Sequence, residues 1–294
     1  LELPGGARVA VLSGANPSWD AGGQALYFSD GPVADSGHVW RYDLNSGSAN
    51  ADGVSWLPAE SMSAVASPAR AEIAVVTLGR PNAIWLCDSV REQCSELFSW
   101  ERVLSAAVAW SPDGSRLFLV RRDEQAEFPA AELVSVAVPS GEVSVLAEGP
   151  LTFPVQATRE GAILCTRYTD LDDDRRELVQ VGPEPGATAV VKLPREVRHL
   201  RQFAVSADGA HVLAGDAGGG LWLVGRSDGS ARQVSRNGRA PQWLPDAADS
   251  YIFFEPSTRD GVSRLVLMRG SVGEDAPRAV APVDLAEDAD AGAS

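Results

Sequence analysis

The chain has 294 residues, 45% of them apolar and 22% charged, which is enough to bury a sizeable core and too apolar for intrinsic disorder. Against 25 Lys and Arg stand 40 Asp and Glu, and the net charge of −15 repels phosphate backbones and anionic lipid, so no nucleic acid partner is expected. No apolar stretch reaches the roughly 18–20 residues that span a bilayer, so no membrane insertion is expected in this segment.

The chain opens at Leu1 without a charged-then-apolar leader. It reads as a mature or excised segment, with any export signal or lipid-attachment Cys already removed upstream. Residues 7–12 form a short apolar run with the look of an outer strand. Residues 17–28 then read as an apolar strand ending at Trp19, a tight turn, and a second apolar strand. The same pattern returns around Ala66, Trp110, Ala157, Val205 and Trp243, and its fullest form is Trp110-Ser111-Pro112-Asp113-Gly114-Ser115-Arg116-Leu117. Counted on the residue before each turn, the spacing is 47, 44, 47, 48 and 38 residues, near the period of propeller blades.

About twenty residues after each anchor comes a further apolar strand, at 39–44, 84–87, 133–136, 178–181, 221–224 and 265–268, followed by a turn and a fourth short strand. Four strands in each of six repeats predict an all-β, six-bladed β-propeller of antiparallel blades. The match between residues 5–19 and residues 229–243 makes 7–12 the candidate terminal strand that closes the ring, although 278–283 competes for that place. The propeller is expected over residues 1–283. Residues 284–294, acidic and rich in Ala, are expected to be a disordered tail.

The eight tryptophans fall in three registers of this repeat. Trp19, Trp110 and Trp243 end the innermost strand, and Trp40, Trp85 and Trp222 sit in the middle of the third; both sets are expected to wedge between blades. Trp56 and Trp100 are placed in outer strands of neighbouring blades, where they either pack or form an exposed aromatic patch. Cys87 and Cys94 flank the turn-prone residues 88–93, so they either bridge a hairpin or remain two half-buried thiols. Cys165, beside apolar residues 162–164, reads as an inert core thiol.

The Ser-Pro-Asp-Gly turn and its degenerate, WD-like copies resemble the repeat of TolB-like six-bladed propellers. That resemblance implies a non-enzymatic, protein-binding scaffold exported to the periplasm. Similar motifs occur in the propellers of prolyl-oligopeptidase-type serine peptidases.

Fragments that imitate catalytic motifs carry little. Gly225-Arg226-Ser227-Asp228-Gly229 matches a nucleophile elbow, but strand rather than helix follows it. His38, His199 and His211 are scattered, and no triad assembles from them. Asp170-Leu171-Asp172-Asp173-Asp174 begins like a calcium loop yet has Arg175 where Gly is needed, so a solvated loop neutralised by Arg175 and Arg176 is the better reading. No metal site and no cofactor are expected.

Because the Pro-Asp-Gly turns join the first two strands on one face, the connections between second and third strands gather on the other. The long ones are residues 121–128 and 166–176, on adjacent blades. Loops on a rigid ring are where recognition sits, and Arg and aromatic residues anchor interfaces. The expected site is therefore Arg121, Arg122, Phe128, Tyr168, Asp170 and Arg175, contacting a protein or peptide, with no catalytic residue. The whole reads as a monomeric, non-catalytic scaffold in the periplasm or outside the cell, lipid-anchored if an upstream Cys carries lipid. The alternatives are the accessory propeller of a serine peptidase, or a ring-mouth sugar- or metal-binding enzyme of the lactonase or lyase type.

Overall fold

Each of the six anchors is the last residue of a strand in the computed structural model. The structure describes residues 15–20, 22, 24–29, 39–43, 48–49, 54–77, 81–100, 108–122, 130–182, 186, 188–244, 249–259, 262–274 and 276–283. The strands form six four-stranded sheets, each an antiparallel meander in chain order.

Sheet one holds β1 (Ala15–Trp19), β2 (Ala25–Ser29), β3 (Val39–Asp43) and β4 (Ser48–Ala49). Sheet two holds β5 (Ser61–Ala66), β6 (Glu72–Thr77), β7 (Asn82–Asp88) and β8 (Gln93–Trp100). In sheet three are β9 (Val108–Trp110), β10 (Arg116–Arg121), β11 (Ala131–Ala137) and β12 (Val143–Gly149). In sheet four are β13 (Leu151–Ala157), β14 (Ile163–Asp170), β15 (Arg175–Val181) and β16 (Thr188–Val190). Sheet five runs through β17 (Leu200–Val205), β18 (His211–Asp216), β19 (Leu221–Gly225) and β20 (Ala231–Ser235). Sheet six runs through β21 (Arg239–Trp243), β22 (Ser250–Arg259), β23 (Val262–Ser271) and β24 (Arg278–Val283).

Two compact units divide the chain, one over Gly14–Lys192 with sheets one to four, the other over Leu193–Ser294 with sheets five and six. The fourth place in sheet six belongs to β24, which pairs with β23. The expected closing strand at 7–12 and the tail at 284–294 lie outside the described residues.

The repeated turn explains why each first strand stops where it does. In sheet three the Ser111 N–H donates to the Arg116 carbonyl at 2.9 Å, and the Ser111 hydroxyl accepts from the Arg116 N–H at 2.9 Å. Asp113 accepts from the Ser111 hydroxyl at 2.6 Å and from the Ser115 N–H at 3.0 Å. Sheet five repeats the arrangement with Ser206, Asp208, Ala210 and His211. In sheet one Asp20 takes over the serine's role, its carboxylate accepting from the N–H groups of Gln24 and Ala25. A short polar side chain after the anchor thus satisfies backbone donors that the reversing chain would otherwise leave unpaired.

Cores form between neighbouring sheets of one unit. Ile84 and Trp100 of sheet two pack with Leu117 and Val134 of sheet three; Leu133 and Leu146 of sheet three pack with Ile163 and Val179 of sheet four. In the second unit Leu213 and Leu221 meet Tyr251 and Phe253. Of the expected indole wedges, Trp110 and Trp243 pack onto the preceding sheet, and their polar edge has a repeated use. The Trp110 indole N–H donates to the Val65 carbonyl at 2.7 Å, and the Trp243 indole N–H to the Ala204 carbonyl at 3.0 Å. Val65 and Ala204 each stand one residue before the anchor of the preceding sheet, so the same bond joins sheet two to three and five to six.

Trp56 departs from its expected outer strand, whereas Trp100 keeps to it and takes the packed one of its two expected states. Trp56 lies in the turn before β5 rather than in an outer strand, and Trp100, at the end of β8, is buried in the seam between sheets two and three. No aromatic patch forms there, because the following sheet covers Trp100. Cys87 and Cys94 are directly opposite in the pairing of β7 with β8 and form a disulfide. Cys165 is a buried free thiol, its pKa pushed up to about 12 by desolvation.

Candidate interaction face on sheets three and four

Arg121 closes β10 opposite Glu132 of β11, and its Nε donates to Glu132 Oε2 at 2.7 Å. Arg122 follows, half-buried. Phe128 lies outside the described residues. The end of sheet three that carries these arginines adjoins the start of sheet four, since Val120, Ala131 and Leu151 share one core cluster.

On sheet four the expected long loop at 166–176 is instead a β-hairpin. β14 and β15 pair as far as Asp170 opposite Arg175, and residues 171–174 make the turn. The hairpin outruns both neighbours. β13 pairs no further along β14 than Arg167, and β16 reaches only Val179 on β15. Backbone geometry at the tip is fixed by Asp170, whose carboxylate accepts from the N–H groups of Asp172 and Asp173 at 3.1 and 3.2 Å.

Side chains brace this arm along its length. Arg176 donates to the Tyr168 hydroxyl at 3.0 Å, lies 4.7 Å over the Tyr168 ring, and donates through Nε to Asp174 at 3.0 Å. Arg167 pairs with Glu177, and Arg175 with Asp173. An exposed pair such as Arg175–Asp173 contributes only about 0.2–1 kcal/mol, but with the partly buried pairs it holds one arm conformation against solvent. The Asp-rich stretch is thus neutralised locally, as expected, and among the described residues no group of three or more His, Cys, Asp and Glu is placed to hold a metal.

Tyr168, Asp170 and Arg175 therefore share one projecting hairpin, with Arg121 and Arg122 at the same end of the adjoining sheet. Two apolar residues were missed: Leu171 at the hairpin tip is 42% exposed, and Phe153 in β13 is 54% exposed. The pairing of β13 with β14 shifts register between Thr152 and Val155, and the Thr166 hydroxyl bonds the displaced Thr152 and Phe153 carbonyls. Phe153-Pro154 is the sequence signal for that bulge, because proline has no N–H to give the ladder.

The catalytic look-alikes resolve as turns. Residues 226–230 link β19 to β20, and Asp228 accepts from the Ser230 N–H and hydroxyl, so Ser227 is no elbow nucleophile. His211 opens β18 with a buried Nδ1 that has no hydrogen-bond partner, while the His199 N–H donates to Asp216. His38 is outside the described residues.

No protein-family model matches the sequence, and no curated protein does. Solved structures do. The chain resembles an acylaminoacyl peptidase of Pyrococcus horikoshii with a TM-score of 0.63 at 16% identity, over 92% of this chain and 45% of the peptidase. It resembles TolB of Acinetobacter baumannii with a TM-score of 0.60 at 15% identity, over 85% of this chain and 61% of TolB. A chain of a nidogen–laminin complex gives 0.61 at 9% identity, over 88% and 92%. The chain thus spans less than two thirds of TolB and less than half of the peptidase. At these identities the likeness is one of fold: a TolB-like β-propeller fold of four-stranded antiparallel sheets. Among the described residues no helix is long and apolar enough to cross a membrane.

Proposed function

We propose that the chain is a non-catalytic, monomeric scaffold working outside the cytoplasm, which holds a protein or peptide at the shared end of sheets three and four. The observation that carries this reading is the β14–β15 hairpin, which outruns its neighbours and is braced by its own side chains. An arm ordered before contact loses little entropy on binding. Tyr168 and the arginines 121, 122 and 175 supply the residue types that dominate interface energies, and Phe153 and Leu171 add exposed apolar surface beside them. The Cys87–Cys94 disulfide fits an oxidising compartment such as the periplasm or the exterior. Protein partners of the propeller kind suit a surface with mixed charge in a chain of net charge −15.

The test replaces Arg121 and Tyr168 together by Glu and, separately, Arg175 by Glu, with circular dichroism to confirm folding. Proteins recovered from native envelope extract on immobilised wild type should be lost or strongly depleted on both variants. Recovery unchanged on folded variants removes this face from consideration.

A further inference from the structure

Among the described residues, the opposite end of the sheets, where the serine and aspartate turns lie, carries clefts at two equivalent seams. One, of about 590 Å³, opens between sheets three and four; the other, of about 240 Å³, opens between sheets one and two. Both seams share a substitution in the repeat. The anchor of the following sheet is Ala157 in the first case and Ala66 in the second, where Trp110 and Trp243 stand at the bridged seams. The turn glycines report the same difference. A Cβ at Gly114 would fall 2.9 Å from the Ser67 hydroxyl, so the turn of sheet three rests on that of sheet two; a Cβ at Gly161, the same repeat position in sheet four, would meet nothing within 4 Å. An alanine at the anchor leaves a gap that an indole closes.

The larger cleft lies inside the roughly 300–1,000 Å³ range of ligand pockets. Its floor is apolar, made by Phe118, Leu146 and Ile163. Its rim carries two guanidinium groups, Arg116 and Arg159, and two carboxylates, Asp113 and Glu160. Among the described residues none of these four is ion-paired with another; Arg116 instead donates to the buried Ser135 hydroxyl at 3.0 Å, which lays its side chain along the wall. Asp113 stays ionised across the physiological range, because Ser111 and Ser115 hold its pKa at about 2.

A lone anion in this cleft would face two carboxylates and a lone cation two arginines. A ligand with both charges on a small apolar skeleton meets neither penalty. We propose that the cleft binds a short free peptide in its zwitterionic form, its carboxylate met by Arg116 and Arg159, its ammonium by Asp113 and Glu160, and an apolar side chain on the floor. This site is at the other end of the sheets from the β14–β15 hairpin and stands or falls without it.

The probe is the tripeptide Ala-Leu-Ala, titrated calorimetrically into the whole chain beside its N-acetylated and C-amidated forms. The free peptide binds, and each block weakens binding about tenfold, as expected for loss of one charged contact. Arg159→Ala weakens the free and N-acetylated peptides and leaves the amide unchanged, whereas Glu160→Ala weakens the free and amidated peptides and leaves the N-acetylated form unchanged. Both residues are exposed, so neither change threatens the fold. Ala157→Trp, which restores the anchor indole, abolishes binding of the free peptide. The proposal is overturned if no tripeptide binds at millimolar concentration, or if binding ignores the blocking groups and the two rim variants.

Discussion

Asp113 shows how one side chain sets a turn and how pH reads it. Its carboxylate accepts from the Ser111 hydroxyl and from the Ser115 N–H and hydroxyl, which holds its pKa at about 2, below the ordinary 3.8. The unfolded chain therefore takes up this proton first. The stabilisation is complete above pH 4 and is lost as pH falls toward 2. Asp113→Ala should lower the urea midpoint at pH 6, with the gap to wild type narrowing steadily between pH 4 and pH 2; a gap independent of pH would contradict this origin. The turn is legible in the sequence because Ser, Asp and Gly act on backbone only a few residues away. The partner of the Trp110 indole, forty-five residues back in sheet two, is not, since nothing local marks Val65 as the acceptor.

Elements were legible in proportion to how one-sided their burial is. β10 and β11 alternate or run apolar and were easily read. The outer parts of β14 and β15 are Thr, Arg, Tyr, Asp and Glu, half-buried or exposed, so hydrophobicity carries no period there and the segment looks like a loop. What makes it a hairpin is cross-strand pairing, Arg167 with Glu177 and Tyr168 with Arg176, which composition does not reveal. For the same reason β23, ten residues long, was read only at its apolar middle, 265–268. On the outer hairpin of sheet two, the disulfide joins residues seven apart. Replacing Cys87 and Cys94 by Ser should cost about 2–3 kcal/mol in the loop-entropy account, and reductant should lower the denaturation midpoint of wild type but not of the double variant. An equal response of the two proteins to reductant would exclude that contribution.

At the scale of the molecule, the repeat length and the six sheets were plain because they are written six times. Which seams close and which stay open was not, since it depends on turns about one repeat apart approaching each other. Net charge acts at this scale too. A folded chain carrying −15 repels itself, and salt screens that repulsion. At pH 7 the melting temperature should rise as NaCl goes from about 10 mM to about 300 mM, and the rise should fade near pH 4.6, where net charge vanishes. A salt effect of equal size at both values would place its origin elsewhere.

A polypeptide made of six look-alike sheets faces a hazard that irregular folds escape, because any sheet offers a plausible resting place to any other. The indoles of Trp110 and Trp243, each seated on a carbonyl of the sheet before, act as addresses: sheet three is directed onto two, and sheet six onto five. Sheets two with three, and five with six, are the neighbours those addresses specify.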